Sequence, residues 1–125
     1  MEKLQHDLLT TKFTEVWHED EKDMKFNAPN HFVVTVSENL KPGELETMVC
    51  KIDFQEGPIK ECGVNGVGNE DVISMVICRL EHFQKSEFAC RENALAVTKL
   101  EEALLWLRKR TIGREQRGVD GMYTV

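Results

Sequence analysis

SEFACRENALAVTKLEEALLWLRKRTIGREQR, residues 86–117, is the stretch whose reading decides the fold. It reads as one long helix, with Ser86 as N-cap and Glu87 in the first turn, where negative charge suits the helix dipole. Val97, Leu100, Leu104 and Leu107 recur at spacings of three and four, so they share a face. Ala89, Ala96 and Ala103 form a second line, small enough for another helix to approach closely. Gly113 and Gly118 weaken the helix towards its end. Five of the sixteen basic residues (Arg108, Lys109, Arg110, Arg114 and Arg117) gather there, in a chain of net charge −6.

Upstream, Asn69 is an N-cap with Glu70 and Asp71 behind it. Val72, Ile73, Val76, Ile77, Leu80 and Phe83 carry an apolar stripe to about Gln84. Lys85-Ser86 leaves room only for a tight reversal, so the two helices fold back as an antiparallel hairpin. The second helix outruns the first, and Leu104, Trp106 and Leu107 need cover from the sheet or from a second copy. Residues 55–68 form a glycine-rich loop with Gly57, Gly63, Gly66 and Gly68. Composition favours a connector there over a loop whose amides approach a ligand.

Further back, residues 31–36 (HFVVTV) are a strand and residues 46–54 its returning partner, joined through Asn39-Leu40-Lys41-Pro42-Gly43. Alternation puts Met48, Cys50, Ile52 and Phe54 on one buried face. Leu4, Leu8 and Leu9 hint at a short helix. Phe13, Val16 and Trp17 form a first strand or continue that helix. HEDEKD (18–23) reads as a solvated loop, and residues 119–125 as a short extended or disordered tail. The expected fold is α+β: a small N-terminal antiparallel β-sheet (1–56), then the Gly-rich loop and a long antiparallel helical hairpin (57–125), in an oligomer.

The acidic balance, with pI near 5.2, argues against general binding to DNA. No run approaches a membrane span or a signal peptide, so a cytoplasmic protein is expected. Cys50, Cys62, Cys78 and Cys90 lack zinc spacing and are expected to be reduced and mostly structural, since free Cys commonly behaves as a small buried hydrophobe. None of the four histidines sits in a metal motif, and no nucleophile with a base can be assembled, which argues against an enzyme and against a resident cofactor or metal. An anion site fares better. Arg110 and Arg114 are four apart and converge, with Arg117 three further on. The alternative is that these residues merely complement the helix end. Asn93 lies on the hairpin seam and Phe83 near the reversal; on the residues alone, both read as core.

The blocks FQEGPIKECGVNGVGNEDV (54–72), RLEHFQ (79–84), FACRENALAVTKLEEALLWLRKRT (88–111) and REQRGVDG (114–121) resemble a family of phage anti-Thoeris sponge proteins. Their C-terminal hairpin is similar to that of the anti-CBASS sponges. The resemblance implies sequestration, without cleavage, of a cyclic ADP-ribose isomer made by bacterial TIR-domain sensors, in the cytoplasm of an infected host cell. It implies a homo-oligomer, a dimer or a trimer of dimers, with the signal molecule between protomers. Carried over by position, the ligand-binding residues are Phe83, Asn93, Arg110 and Arg114, with Arg91 and Thr111 beside them. Some members also hold cyclic di- or trinucleotides, and the Gly63–Gly66 loop, with Lys60 and Asn65, is the candidate second nucleotide site.

Overall fold

The computed structural model describes residues 1–40 and 48–125. The sequence assignments at Lys41, Pro42, Gly43, Glu46 and Thr47 lie outside them. The chain divides into two compact units, Met1–Gly66 and Val67–Val125.

The first unit is a four-stranded antiparallel sheet in sequence order: β1 (Glu2–Lys3), β2 (Thr14–His18), β3 (His31–Val36) and β4 (Met48–Asp53). The expected helix at Leu4, Leu8 and Leu9 does not form. The Leu4 amide instead donates to the Val16 carbonyl at 2.8 Å, and Leu8 stands in solvent. Trp17 pairs with Val33 and Glu15 with Thr35 across β2 and β3. The buried face built on that register is polar. Glu15, Thr35 and Ser37 are buried beside Val33. Trp17 Nε1 donates to Thr35 Oγ1 at 3.0 Å, and Lys3 Nζ sits 3.5 Å from Glu15 Oε1.

The apolar face expected on β4 is only partly buried. The ladder slips between Val34 and Thr35, so Cys50 pairs with Val34 while Met48 pairs with Thr35. Val49 is the extra residue, and a bulge of this kind breaks strict alternation. Met48, Val49 and Cys50 are exposed, whereas Ile52 and Phe54 are half-buried. Phe54 packs edge-on to Phe32, ring centres 5.5 Å apart. The solvated loop expected at 18–23 also holds a buried residue, Glu19. Its carboxylate accepts the Asn30 amide at 2.6 Å.

Of the glycine-rich segment, residues 55–66 group with this sheet, and Val67 and Gly68 with the hairpin. The Phe54 amide donates to the Asn30 carbonyl at 2.7 Å and Glu56 meets His31 at 3.0 Å, which join the loop to the sheet, while two side chains close it on itself. Gln55 donates to the Gly57 and Gly63 carbonyls at 3.1 and 2.8 Å. Asn65 accepts from the Glu56 amide at 2.8 Å and donates to the Glu56 carbonyl at 2.7 Å. A one-turn helix, α1 (Ile59–Cys62), lies inside the loop they close.

The second unit is the hairpin of α2 (Asn69–Gln84) and α3 (Arg91–Arg117). Gly68, not Asn69, is the N-cap of α2, and its amide donates to Asp71 Oδ2 at 2.8 Å. Ile77 is buried, and Val72, Ile73, Leu80 and Phe83 are half-buried. On α3 the half-buried positions are Asn93, Ala96, Val97, Leu100, Ala103, Leu104, Leu107, Thr111 and Gly113, which include the seam of Val97, Leu100, Leu104 and Leu107 read from the sequence; Ala89, of the second line, lies before α3 and is exposed. Helix α3 begins four residues later than expected, with Cys90 as its N-cap in place of Ser86. Ser86 does not cap it: its hydroxyl donates to the Phe83 carbonyl at 2.6 Å and accepts from the Phe88 amide at 3.1 Å. Gln84 then clamps the far side, meeting the Cys90 carbonyl and amide at 2.9 Å each. Gly118 ends α3 in the left-handed region at φ 72°, where glycine carries no steric cost. Gly113 lies inside α3 and leaves it unbroken.

Val33, Pro58 and Ile77 are the buried apolar residues among the described ones. Leu105 (71% exposed), Trp106 (62%) and Met75 (62%) stand outside the seam of the hairpin. All four cysteines are free and exposed, so the expectation that they fill the core is corrected.

Candidate functional site

The ligand-binding candidates lie in the second unit, at two ends of one helix pair. Near the reversal, Phe83 closes α2. Its ring meets Phe88 edge-on at 6.3 Å and 90°, and the Arg79 guanidinium stacks over its face, 5.0 Å from the ring centre. Arg79 precedes Phe83 by one helical turn, the spacing at which side chains meet. Sequence reading passed over it, although an Arg four residues before an aromatic is a usable signal. Asn93 is half-buried in the first turns of α3, and its amide has no hydrogen bond among the described residues. Arg91 is exposed at the first position of α3.

At the other end, the basic cluster resolves into separate jobs. Arg108 pairs with Glu115 at 3.1 Å. Lys109 lies over the Trp106 ring at 5.1 Å. Arg117 donates to a Val125 oxygen at 2.8 Å. Arg114 is buried, and its guanidinium gathers the tail, donating to the carbonyls of Thr124, Val119 (2.9 Å) and Met122 (2.7 Å). Arg110 alone of the five is exposed with no polar or ring partner among the described residues. Thr111 returns its hydroxyl to the Leu107 carbonyl at 3.2 Å and is half-buried. Four of the five cations thus have partners, a carboxylate, a ring or the tail carbonyls, and none of these partners is a carbonyl of the helix end itself. This leaves Arg110 available.

These two clusters do not meet within one hairpin. Asn93 and Arg110 are seventeen residues apart on a continuous helix. At about 1.5 Å per residue that is about 26 Å along the axis. No one small molecule spans that distance while touching both. A shallow, mainly apolar depression runs along the exposed side of α2, lined by Val67, Asp71, Ser74, Met75, Cys78 and Arg79.

In the first unit, Lys60 is exposed on α1 and Gly63 caps it at φ 69° with open space around it. Asn65 spends its amide on the loop backbone. A side chain at Gly66 would land on the Phe54 carbonyl and within 2.6 Å of the Asp53 carbonyl oxygen, so this position accepts glycine for close backbone approach.

The same unit holds the shifted titratable groups. His31 Nδ1 is 2.7 Å from Asp53 Oδ1, and His31 Nε2 is 3.0 Å from Glu56 Oε2. The Asp53 hydrogen bond raises the imidazole above its ordinary 6.5; burial opposes this, and Glu56 and Glu19 add to it. The His31 hydrogen bond holds Asp53 below its ordinary 3.8. Coordinating atoms of Glu19, His31 and Glu56 all lie within 4.8 Å of one another, but each residue is already engaged in a hydrogen bond. Among the described residues, no helix is long and apolar enough to cross a membrane.

Residues 46–111 match the model of the Acb2/Tad1 hairpin domain. The chain is also similar to "Thoeris anti-defense 1" of Bacillus phage SBSphiJ7, with 50% identity over 98% of this chain and 99% of that protein.

Proposed function

The chain belongs to the family of Acb2/Tad1 hairpin and Thoeris anti-defense 1 proteins, and from that premise we propose that it is a phage anti-Thoeris protein that sequesters a TIR-derived cyclic ADP-ribose isomer, glyco-cyclic ADP-ribose, without cleaving it. The ligand offers an adenine and a pyrophosphate. Phe83 stacks the adenine, and Asn93 hydrogen-bonds its edge or a ribose hydroxyl. Arg110 pairs with the pyrophosphate, with Arg91 and Thr111 beside these contacts. A guanidinium has five N–H groups. Three of those on Arg114 go to tail carbonyls, so two remain for a phosphate oxygen.

The observation that carries the reading is the exposed, unpartnered Arg110 about 26 Å from Asn93 along one helix. The two ends act on one ligand when a second copy sets its Arg110 end beside the first copy's Phe83 end. The functional form is thus a homo-oligomer, a dimer or a trimer of dimers acting in the cytoplasm of the infected cell. Lys60, exposed beside the Gly63–Gly66 loop, supports a second site for cyclic di- or trinucleotides, with Asn65 and Gly66 shaping the loop around it.

A binding titration with glyco-cyclic ADP-ribose tests this, followed by heat denaturation and assay of what is released. Tight binding with intact ligand recovered is the expected result. A degraded product would establish an enzyme instead. Failure to bind would direct the same titration to cyclic oligonucleotides.

A further inference from the structure

His31 opens β3 and faces carboxylates on both sides. Asp53, at the end of β4, takes Nδ1; Glu56, in the loop beyond, takes Nε2. A neutral imidazole has one N–H and one lone pair. In either neutral tautomer, a lone pair would point at a carboxylate oxygen at hydrogen-bond distance. The doubly protonated ring satisfies both contacts as donors, and charge-assisted bonds of this type are the stronger ones. We propose that His31 is a proton-held staple: as imidazolium it bridges Asp53 and Glu56 and fastens the 54–66 segment to the end of the sheet, and losing its proton releases that segment.

The surroundings favour the charged ring. Asp53 and Lys51 face it from β4, Glu56 from the loop and Glu19 from the β2–β3 connection. Lys51 Nζ lies 3.7 Å from Asp53 Oδ2, so one of the three carboxylates is shared with a lysine. What the staple holds is more than one side chain. The Glu56 amide and carbonyl are both bound by Asn65, and Gln55 ties Gly57 and Gly63. Fixing Glu56 therefore fixes the loop that contains Lys60 and Gly63. Phe54, whose amide donates to the Asn30 carbonyl at 2.7 Å, is the segment's other anchor on the sheet.

The pH window follows from the directions of the shifts. His31 is raised, so its contribution is complete below its ordinary 6.5 and fades as pH climbs through the raised value. Asp53 is lowered, so its contribution is complete above its ordinary 3.8 and fades as pH falls through the lowered value. The staple is closed between those limits and opens on the alkaline side.

Nitrogen-detected NMR of the imidazole in the full chain, with amide hydrogen exchange of residues 54–66 corrected for intrinsic rate, tests this between about pH 5 and 9. This range spans the ordinary value of histidine. Both ring nitrogens should carry protons at pH 6. Protection at Glu56 and Asn65 should fall several-fold as the ring deprotonates. His31→Gln should leave that protection low and independent of pH. Glu56→Gln, a milder change, should lower the pH at which the ring titrates. A neutral ring at pH 6, or loop protection that ignores the titration, would overturn the proposal. So would added zinc displacing the ring proton stoichiometrically at pH 7, which would make the cluster a metal site.

Discussion

Arg110 and Arg114 look equivalent as letters four residues apart, yet they occupy opposite situations. Arg110 is exposed and unpartnered among the described residues, while Arg114 is buried under three tail carbonyls. Arg110→Ala should leave the melting temperature unchanged and weaken glyco-cyclic ADP-ribose by at least about tenfold, since a hydrogen bond to a charged group contributes about 1.5–3 kcal/mol. Arg114→Ala should do more. Its three part-buried hydrogen bonds to the tail contribute about 0.5–1.5 kcal/mol each, so thermal denaturation should show a lowered midpoint alongside any loss of affinity. If Arg114→Ala kept full affinity, its phosphate role would be wrong. Gly66→Ala should destabilise the sheet unit by about 1–3 kcal/mol, the usual range for overpacking, because its methyl would meet the Phe54 and Asp53 carbonyls. Denaturant unfolding reads this directly. At this scale the sequence named the candidate side chains but not their engagement. Nothing in the spacing of Arg114 foretells that the tail would turn back onto it, and Arg79 was overlooked because its partner is an aromatic face, not a charge.

Among the elements, periodicity was a sound guide wherever packing follows it. The α3 seam from Asn93 to Leu107 and the β3 strand both stand where their patterns put them. The misreadings fall where a local polar group competes with regular structure. Ser86 has the chemistry of an N-cap but spends its hydroxyl inside the reversal, and Gln84 closes that reversal around Cys90. Gln84→Ala should destabilise the hairpin by about 1 kcal/mol per lost bond, with faster amide exchange at Cys90 as the readout. On β4, alternation fails at a bulge, a feature of backbone register that side-chain pattern does not encode. The glycine-rich segment was ambiguous for a similar reason: it is closed on itself by Gln55 and Asn65 and joined to the sheet through Glu56 and His31, polar residues that composition treats as generic loop chemistry.

For the whole molecule, the distribution of apolar residues is the main fact. Buried apolar side chains among the described residues are Val33, Pro58 and Ile77, while Leu105, Trp106, Met75 and Phe88 are exposed. Exposed apolar residues of that size, recurring on one hairpin, mark surfaces that seek cover. Leu105→Glu with Trp106→Glu should lower the mass seen by light scattering. Under the composite-site reading it should also abolish tight ligand binding, although neither residue is a proposed ligand contact. Retained binding by a monomer would refute that reading.

The distance between Asn93 and Arg110 has a consequence for infection kinetics. If each pocket takes one half from each of two chains, the supply of working pockets early in synthesis rises with the square of chain concentration, not in proportion to it. A few chains would leave the alarm molecule untouched. Once the cell crosses the assembly threshold, capacity would climb steeply, and every further chain would bring both of its halves into use.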